Sequence, residues 1–383
     1  MTIPSACARP SSRGRSPPLD RLLDTPFDAL LLRTLAAHPR FIGTAALAAA
    51  REHCARYLEH LGYSVRRTPF DFSTVPARFG MPAIGFATIL FHVAAWWSVR
   101  LDHRAAGLGI VAFGCVWTSV LARWLTGPNA LWLSSGRIGG QNLEATCGGQ
   151  DPRVWLVAHL DSKNQPLSLA VRAIAVTSVA GAWVSALFIS TMGLLGVLHP
   201  AMGVPLVLAI AGGAPLLVAS IGGNSPGAVD NASGVVAVLG AARELAGDGD
   251  VGILITDAEE AGLAGAYAWA RVRSPGVAFN CDTVDDAGPL IAVWSQSRPD
   301  AACDAVSRAA SGLGLRCELR RLPLGILTDG AALQRAGWEC VTISRANWRT
   351  LHRIHTPRDS LEHFKGAGIR DATRLLVAAA RGR

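Results

Sequence analysis

The sequence predicts an α/β fold: a three-layer α/β/α domain with a mostly parallel central sheet, interrupted by about four inserted transmembrane helices in two hairpins. Three apolar runs, VWLVAHLD, VGILITDAEE and VAFNCDTVDD, each end in acidic or histidine residues. This pattern is typical of buried parallel strands. Four longer segments contain no charged residue, and each reaches the ~18–20 residues that a helix needs to cross a bilayer. The composition agrees, because 50% of the residues are hydrophobic and only 17% are charged.

The chain begins with MTIPSACARPSSRGRSPPLDR, which is rich in Pro, Ser and Arg and lacks the apolar run of a signal peptide. We expect a disordered tail here. The apolar segments set the remaining boundaries. The predicted parts are the tail at residues 1–21, the α/β domain at 22–80, 128–166 and 224–383, a first hairpin at 81–127 and a second hairpin at 167–223.

The first predicted hairpin consists of Met81–Val99 and Ala105–Ala122, joined by the short loop RLDHR. Trp96, Trp97 and Trp124 lie near the ends of these segments, as aromatic residues do at a membrane–water interface. The alternative is that these segments are core helices of a soluble protein. That alternative needs a second large interior besides the core of the α/β domain.

The second predicted hairpin consists of Ala173–Leu198 and Ala201–Ile221, joined by His-Pro. Ala173–Leu198 is the strongest candidate span of the four. The pair Gly212–Gly213 and Pro215 make Ala201–Ile221 the weakest helix, although both residue types are tolerated within membranes.

Five short motifs carry the polar residues of a candidate metal site: AHLDS, GAVDNASG, TDAEEAG, FNCDTVD and IHTPRDS. The potential ligands in them are His159, Asp230, Glu260, Asp282 and His355, and Glu259 lies beside Glu260. Two imidazoles and three carboxylates form the mixed nitrogen and oxygen ligand set that zinc accepts. The number fits two ions, with one His and one carboxylate for each and a fifth ligand between them. Three of the motifs follow predicted strands, where ligands of open α/β sheets bind.

With these motifs the sequence resembles the co-catalytic zinc aminopeptidases of the aminopeptidase S and aminopeptidase Y type, a branch of the zinc exopeptidases. Three further segments support the resemblance, which covers most of the chain. His38–Val65 is similar to the amino-terminal helix and following strand of that family, Gly139–Thr146 to the strand before the first ligand, and Thr328–Ser344 to the segment before the last ligand. The resemblance implies the zinc-exopeptidase fold and the hydrolysis of amino-terminal residues from peptides.

The resemblance also implies a role for each site residue. It implies two zinc ions per chain, bound by His159, Asp230, Glu260, Asp282 and His355, with Asp230 as the bridging ligand. Glu259 would be the general base, which takes a proton from the attacking water. Asp161 would orient His159, since a carboxylate two residues further on can accept the other ring N–H.

Neighbouring residues offer alternatives to several of these assignments. His352 lies three residues before His355, but only His355 has the HTPRD context. Asp257 is close to the proposed base, and we interpret it as structural. Asp285 and Asp286 follow Asp282 but lie beyond the end of the predicted strand.

The net charge of +8 comes almost entirely from arginines that are scattered along the chain, so we do not expect a nucleic-acid partner. The expected partners are a peptide substrate and the lipid bilayer, and the sequence leaves the oligomeric state undetermined. An even number of spans keeps the whole α/β domain on one side. The basic residues that flank the spans on this side are Arg78, Arg123, Lys163 and Arg172. Arg100 and Arg104 lie in the loop on the opposite side. The balance of basic residues favours a multi-pass membrane protein whose catalytic domain faces the cytoplasm.

Two other functional classes fit the same sequence. One is a carboxypeptidase or a glutaminyl-cyclase-like enzyme with a single zinc, and the presence of both His159 and Asp282 argues against a single ion. The other is a membrane scaffold without enzymatic activity. The full ligand set and Glu259 argue against that class.

Overall fold

The computed structural model describes residues 26–148, 151–198, 201–323, 325–364 and 366–382. The predicted tail at residues 1–21 lies outside the described residues. The chain folds into two compact units. The first contains the described parts of Met1–Phe72, Arg137–Asn164 and Gly223–Arg383, and the second contains Ser73–Gly136 and the described parts of Gln165–Gly222.

The first unit is built on an eight-stranded sheet. The strands are β1 Ser64–Ser73, β2 Arg137–Thr146, β3 Val154–His159, β4 Val251–Thr256, β5 Val277–Val284, β6 Leu290–Trp294, β7 Cys317–Arg321 and β8 Glu339–Arg345. Their order is β1-β2-β4-β3-β5-β8-β6-β7. The central strands β4, β3, β5 and β8 are parallel, while β2 and β6 run antiparallel to β4 and β8. The predicted α/β class is therefore confirmed, with a mixed sheet.

Helices lie in both units. They are α1 Pro26–Leu35, α2 Ala45–His60, α3 Val75–Arg100, α4 Arg104–Leu125, α5 Leu169–Leu194, α6 Gly203–Leu217, α7 Ser233–Glu244, α8 Ala264–Ala270, α9 Asp300–Leu313, α10 Asp329–Arg335, α11 Trp348–Arg353 and α12 Ala367–Arg381. Short helical turns occupy Pro128–Leu131, Ala228–Ala232 and Leu361–His363. Helices α3 to α6 belong to the second unit and the others to the first.

The core of the first unit explains why its central strands are continuous apolar runs. Every residue of β3 and β4 is buried, as expected for strands that are covered by helices on both faces. Trp155 of β3 packs edge-on against Trp269 of α8, whose ring lies 4.8 Å from that of Trp338. Leu333 of α10 completes this cluster. The apolar core therefore fixes the strands whose carboxyl ends carry the polar motifs.

The second unit contains three helices that are long and apolar enough to cross a membrane: α3, α4 and α5. The fourth predicted span, Ala201–Ile221, forms only the 15-residue helix α6. A helix of that length rises about 22 Å, which is less than the ~30 Å hydrocarbon core of a bilayer. Pro215 lies two residues before its end and has no backbone N–H to donate to the carbonyl group of the preceding turn.

Glycines allow the helices of the second unit to approach closely. A Cβ atom on Gly85 of α3 would lie 2.5 Å from the carbonyl oxygen of Gly213 of α6. A Cβ atom on Gly212 would lie 2.6 Å from the carbonyl oxygen of Ala175 of α5. Small residues at such crossings let helix backbones pack against each other, as in membrane helix pairs.

We expect Gly212→Ala to lower the melting temperature of the detergent-purified protein. The added methyl group has no space against α5, and overpacking of this kind costs about 1–3 kcal/mol. Gly109→Ala on α4 is the matched control, because a Cβ atom there meets nothing within 4 Å. Equal melting temperatures for the two variants would contradict this account of the packing.

Candidate metal centre

The predicted metal-binding motifs come together at the carboxyl ends of the central strands. His159 is the last residue of β3, Asp282 lies in β5, and Glu259 and Glu260 follow β4. In the parallel pairing of β3 with β5, Val157 lies opposite Asn280. His159 and Asp282 each come two residues later, so they lie at the same height along the two strands. His355 reaches the same place from the loop after α11, where its φ of 60° is rare for a residue other than glycine.

Two groups of potential metal ligands share one carboxylate. His159, Asp230 and Asp282 form the first group, and Asp230, Glu260 and His355 form the second. Within each group the ligand atoms lie within 4.8 Å of one another, and all five residues are buried. Nε2 of His159 lies 3.2 Å from Oδ1 of Asp230, and Nε2 of His355 lies 2.8 Å from Oδ2 of the same carboxylate. Asp230 thus offers one oxygen to each group.

The chemistry of this cluster fits a pair of zinc ions. Burial alone would raise the pKa of Asp230, yet the contacts with His159 and His355 hold this pKa well below its usual value. Oε1 of Glu260 is buried and has no hydrogen-bond partner among the described residues, and it lies 3.3 Å from Nε2 of His355. A buried acceptor without a donor is costly, and a bound cation would satisfy it.

The hydrogen bond of His159 determines which ring nitrogen faces the carboxylates. Nδ1 lies 3.1 Å from the carbonyl oxygen of Asp161 and 3.6 Å from its carboxylate oxygen Oδ1. Because a carbonyl oxygen only accepts, Nδ1 carries a proton, and Nε2 is the nitrogen that faces the carboxylates and would bind a metal ion. Asp161 is thus in contact with His159, and its backbone carbonyl lies nearer to Nδ1 than the carboxylate that we expected to accept this proton.

The Asp161 carboxylate has a second role, which we did not predict. Oδ1 accepts the backbone N–H of Glu259 at 3.1 Å, and Oδ2 accepts that of Glu260 at 3.0 Å. One buried carboxylate thus fixes the backbone of both acidic residues. No spacing in the sequence signals this contact, because it joins residues about a hundred positions apart.

Glu259 lies among like charges. Burial raises its pKa well above the usual value, and Glu260 and Asp282 add to the rise, although His159 opposes it. Glu260 differs because it forms an ion pair with Lys163. Burial alone would raise the pKa of Glu260, but Lys163 and His355 hold it at about 2. The two adjacent glutamates therefore differ in proton affinity, and Lys163 is a site residue that sequence reasoning missed.

The structure places the alternative residues outside both ligand groups. His352 packs edge-on against Trp348, with ring centroids 4.9 Å apart. Asp257 forms an ion pair of 2.6 Å with Arg51. Asp285 accepts a hydrogen bond from the Thr350 hydroxyl, and Asp286 accepts the backbone N–H of Ala367. All four alternative residues therefore contact groups outside the two ligand groups. They are His352, Asp257, Asp285 and Asp286.

The sequence profile of peptidase family M28 matches residues 142–380, which is more than half of the chain. The chain belongs to peptidase family M28. This membership confirms the predicted zinc metallopeptidase, a hydrolase with two zinc ions per chain as its cofactor. It also implies a peptide as the substrate of this M28 chain. The matched residues contain all five potential ligands.

Solved structures show the same fold in distant sequences. A zinc aminopeptidase from Bacillus subtilis is 15% identical with a TM-score of 0.53, over 96% of this chain and 95% of that chain. An aminopeptidase from Aneurinibacillus sp. strain AM-1 is 13% identical with a TM-score of 0.54, over 94% and 92% of the two chains. A glutaminyl cyclase from Bacteroides thetaiotaomicron is 13% identical with a TM-score of 0.54, over 95% and 98%. No curated protein sequence matches the chain.

We expect Asp230→Ala to lose both zinc ions, because its carboxylate belongs to both ligand groups. His355→Ala should lose only one ion, since His355 belongs to the second group alone. Metal analysis of the purified proteins after dialysis measures both. Asp285→Asn is the control, because it changes a buried carboxyl group outside the two ligand groups and should keep both ions. Retention of two ions by Asp230→Ala would contradict the shared-ligand arrangement.

Proposed function

We propose that this M28 peptidase is a membrane-bound aminopeptidase that removes amino-terminal residues from peptides. The observation that carries the proposal is the Asp230 carboxylate, which faces a His159 group with one oxygen and a His355 group with the other. A shared carboxylate between two nitrogen and oxygen ligand groups is the arrangement of a paired-metal hydrolase. Aminopeptidases are among the structures with this fold.

Five residues of this chain would hold the zinc pair: His159 and Asp282 on one side, Glu260 and His355 on the other, and Asp230 between them. When bound, the ions supply Lewis acidity at the scissile carbonyl and lower the pKa of the attacking water. Glu259 takes the proton of that water on its carboxylate and returns it to the leaving amine. Its raised pKa suits the holding of a proton, and Asp161 keeps its backbone in place.

The proposal is tested with a panel of short peptides. We expect hydrolysis of peptides with a free amino terminus and no cleavage of the same peptides after acetylation. Liquid chromatography of the products identifies the bond that is cut. The aminopeptidase assignment would be wrong if peptides were cleaved from the carboxyl end. It would also be wrong if amino-terminal glutamine were cyclised without peptide hydrolysis.

Two variants of adjacent residues separate chemistry from metal binding within this test. Glu259→Gln should keep two zinc ions and lower turnover by about 10²–10⁴-fold, the contribution of a general base. Glu260→Gln should release metal instead, because Glu260 belongs to a ligand group and Glu259 does not. Equal loss of metal in both variants would show that these roles are wrongly assigned.

We also propose that the second unit lies in the bilayer. Helices α3, α4 and α5 have the length and composition of membrane spans. Large apolar side chains point outward from them, with exposed fractions of 61% for Phe86, 63% for Phe113 and 69% for Val184. An exposed apolar surface of this kind is typical of lipid contact and is rare on soluble monomers.

The connectivity of the sheet restricts the membrane topology. Strand β1 precedes the first hairpin, β2 and β3 lie between the hairpins, and β4 to β8 follow the second. Because all these strands form one sheet, they lie on one side of the membrane. Each proposed hairpin must therefore cross the bilayer an even number of times. The short α6 would then complete the return with its flanking residues or by local thinning of the bilayer. Arginines on the domain side of the spans favour the cytoplasm for this sheet.

We expect the protein to stay with membranes after washes with high salt and with alkaline carbonate, and to be released by detergent. Apolar helices partition into lipid independently of charge, so these washes should not remove them. Immunoblots of the pellet and supernatant fractions measure the distribution. Recovery as a monodisperse protein without detergent would show that the four helices form the interior of a soluble protein.

A further inference from the structure

The segment Pro226–Asp230, which presents the shared carboxylate, is held through its backbone N–H groups by Asp359. Oδ1 of Asp359 accepts the N–H of Val229 at 2.8 Å, and Oδ2 accepts the N–H of Asp230 at 3.0 Å. The backbone carbonyl of Asp359 accepts the N–H of Ala228 at 3.1 Å. Asp359 is fully buried, so water does not compete for these bonds.

The carbonyl groups of the same segment are held by Arg40. Its guanidinium donates to the carbonyl oxygens of Pro226 at 2.7 Å and Gly227 at 2.9 Å. Nε donates to the carbonyl of Leu160 at 2.7 Å, in the loop that follows His159. Burial lowers the pKa of Arg40 to about 10, and Asp359 is the strongest charge that opposes this effect. The side chain is therefore a buried cation at neutral pH.

Two further contacts show how closely this segment is enclosed. The backbone N–H of Arg40 donates to the Ser162 hydroxyl, which itself donates to the carbonyl of Ser225. Gly227 has a φ of +63°, and a Cβ atom there would lie 2.5 Å from Cβ of Ser162. The backbone that leads to Asp230 thus has little freedom on any of these sides.

We propose that Arg40 and Asp359 are positioning residues that fix Asp230 between the two zinc-ligand groups. The inference rests on the proposed function, in which Asp230 bridges two zinc ions. The Asp359 carboxylate accepts two consecutive backbone N–H groups, the second of which belongs to Asp230. The Asp161 carboxylate accepts two in the same way, the second of which belongs to Glu260. Asp230 belongs to both ligand groups, so release of its backbone weakens the binding of both ions together.

The first test is the zinc affinity of Asp359→Asn, measured by competition with a chelator on the full chain in detergent. An Asn side chain keeps one acceptor oxygen but turns an NH₂ donor toward the other N–H. We expect about 10–100-fold weaker binding of both ions, the usual effect of losing a partner that orients a metal ligand. The melting temperature of the metal-free protein is recorded in parallel.

Glu144→Gln is the matched control for general damage to the first unit. Glu144 is a buried carboxylate of β2 that accepts the indole N–H of Trp269 at 2.8 Å and pairs with Arg273. It belongs to neither ligand group. We expect this variant to lower the metal-free melting temperature and to keep wild-type zinc affinity.

Arg40→Lys tests hydrogen bonding separately from charge. A lysine keeps the positive charge, but its single ammonium group cannot reach the carbonyls that the planar guanidinium spans. We expect at least about 10-fold weaker zinc binding. Ser162→Ala removes only the hydroxyl between Arg40 and Ser225, so it serves as the mild variant if the other two do not fold. We expect it to weaken the binding of both ions by several-fold.

The outcomes separate this inference from the proposed function. If the folded variants bind both ions with wild-type affinity, Arg40 and Asp359 do not position the site and the inference fails. If the wild-type protein binds no zinc pair, the proposed function fails instead. Weaker binding in Asp359→Asn and Arg40→Lys, with Glu144→Gln unchanged, supports the inference.

Discussion

The structure of the first unit depends on the burial of several carboxylates within one small site. Asp161, Asp230, Glu259, Glu260 and Asp282 are each no more than 6% exposed. Buried charges are costly unless they are paired or hydrogen-bonded. This protein meets that requirement with backbone N–H groups at Asp161, with an ammonium group at Glu260 and with imidazoles at Asp230. A zinc pair at this site would supply the remaining positive charge, and metal binding would then stabilise these loops.

The sheet explains how residues that are distant in the chain reach this site. Parallel strands end at the same edge, so the loops after β3, β4 and β5 meet without long excursions. The helices of the second unit lie in connections of this sheet, with α3 and α4 between β1 and β2 and with α5 and α6 after β3. Exposed connections tolerate insertions because few backbone hydrogen bonds of the sheet cross them.

The second unit satisfies a different constraint. Its helices pack through glycines at the crossings of α3 with α6 and of α5 with α6, while large apolar side chains such as Phe113 point outward. In water this outer surface would favour aggregation, whereas in lipid it needs no cover. The interior of the unit therefore combines close backbone contacts with buried side chains such as Trp183 and Leu216, and its exterior presents further apolar side chains.

The sequence by itself determined the α/β class, the long apolar helices and the motifs that carry the site. These features depend on local patterns: an apolar run with a polar end identifies a buried strand, and a charge-free stretch identifies an apolar helix. Only the tertiary structure decided that β2 and β6 run antiparallel to their neighbours, that α6 is short, and that the two oxygens of Asp230 face different histidines. It also decided the partners of Arg40, Asp161, Lys163 and Asp359. These side chains bind backbone groups or charges about a hundred or more residues away, and a backbone N–H or carbonyl has the same chemistry at nearly every position, so no residue pattern marks it.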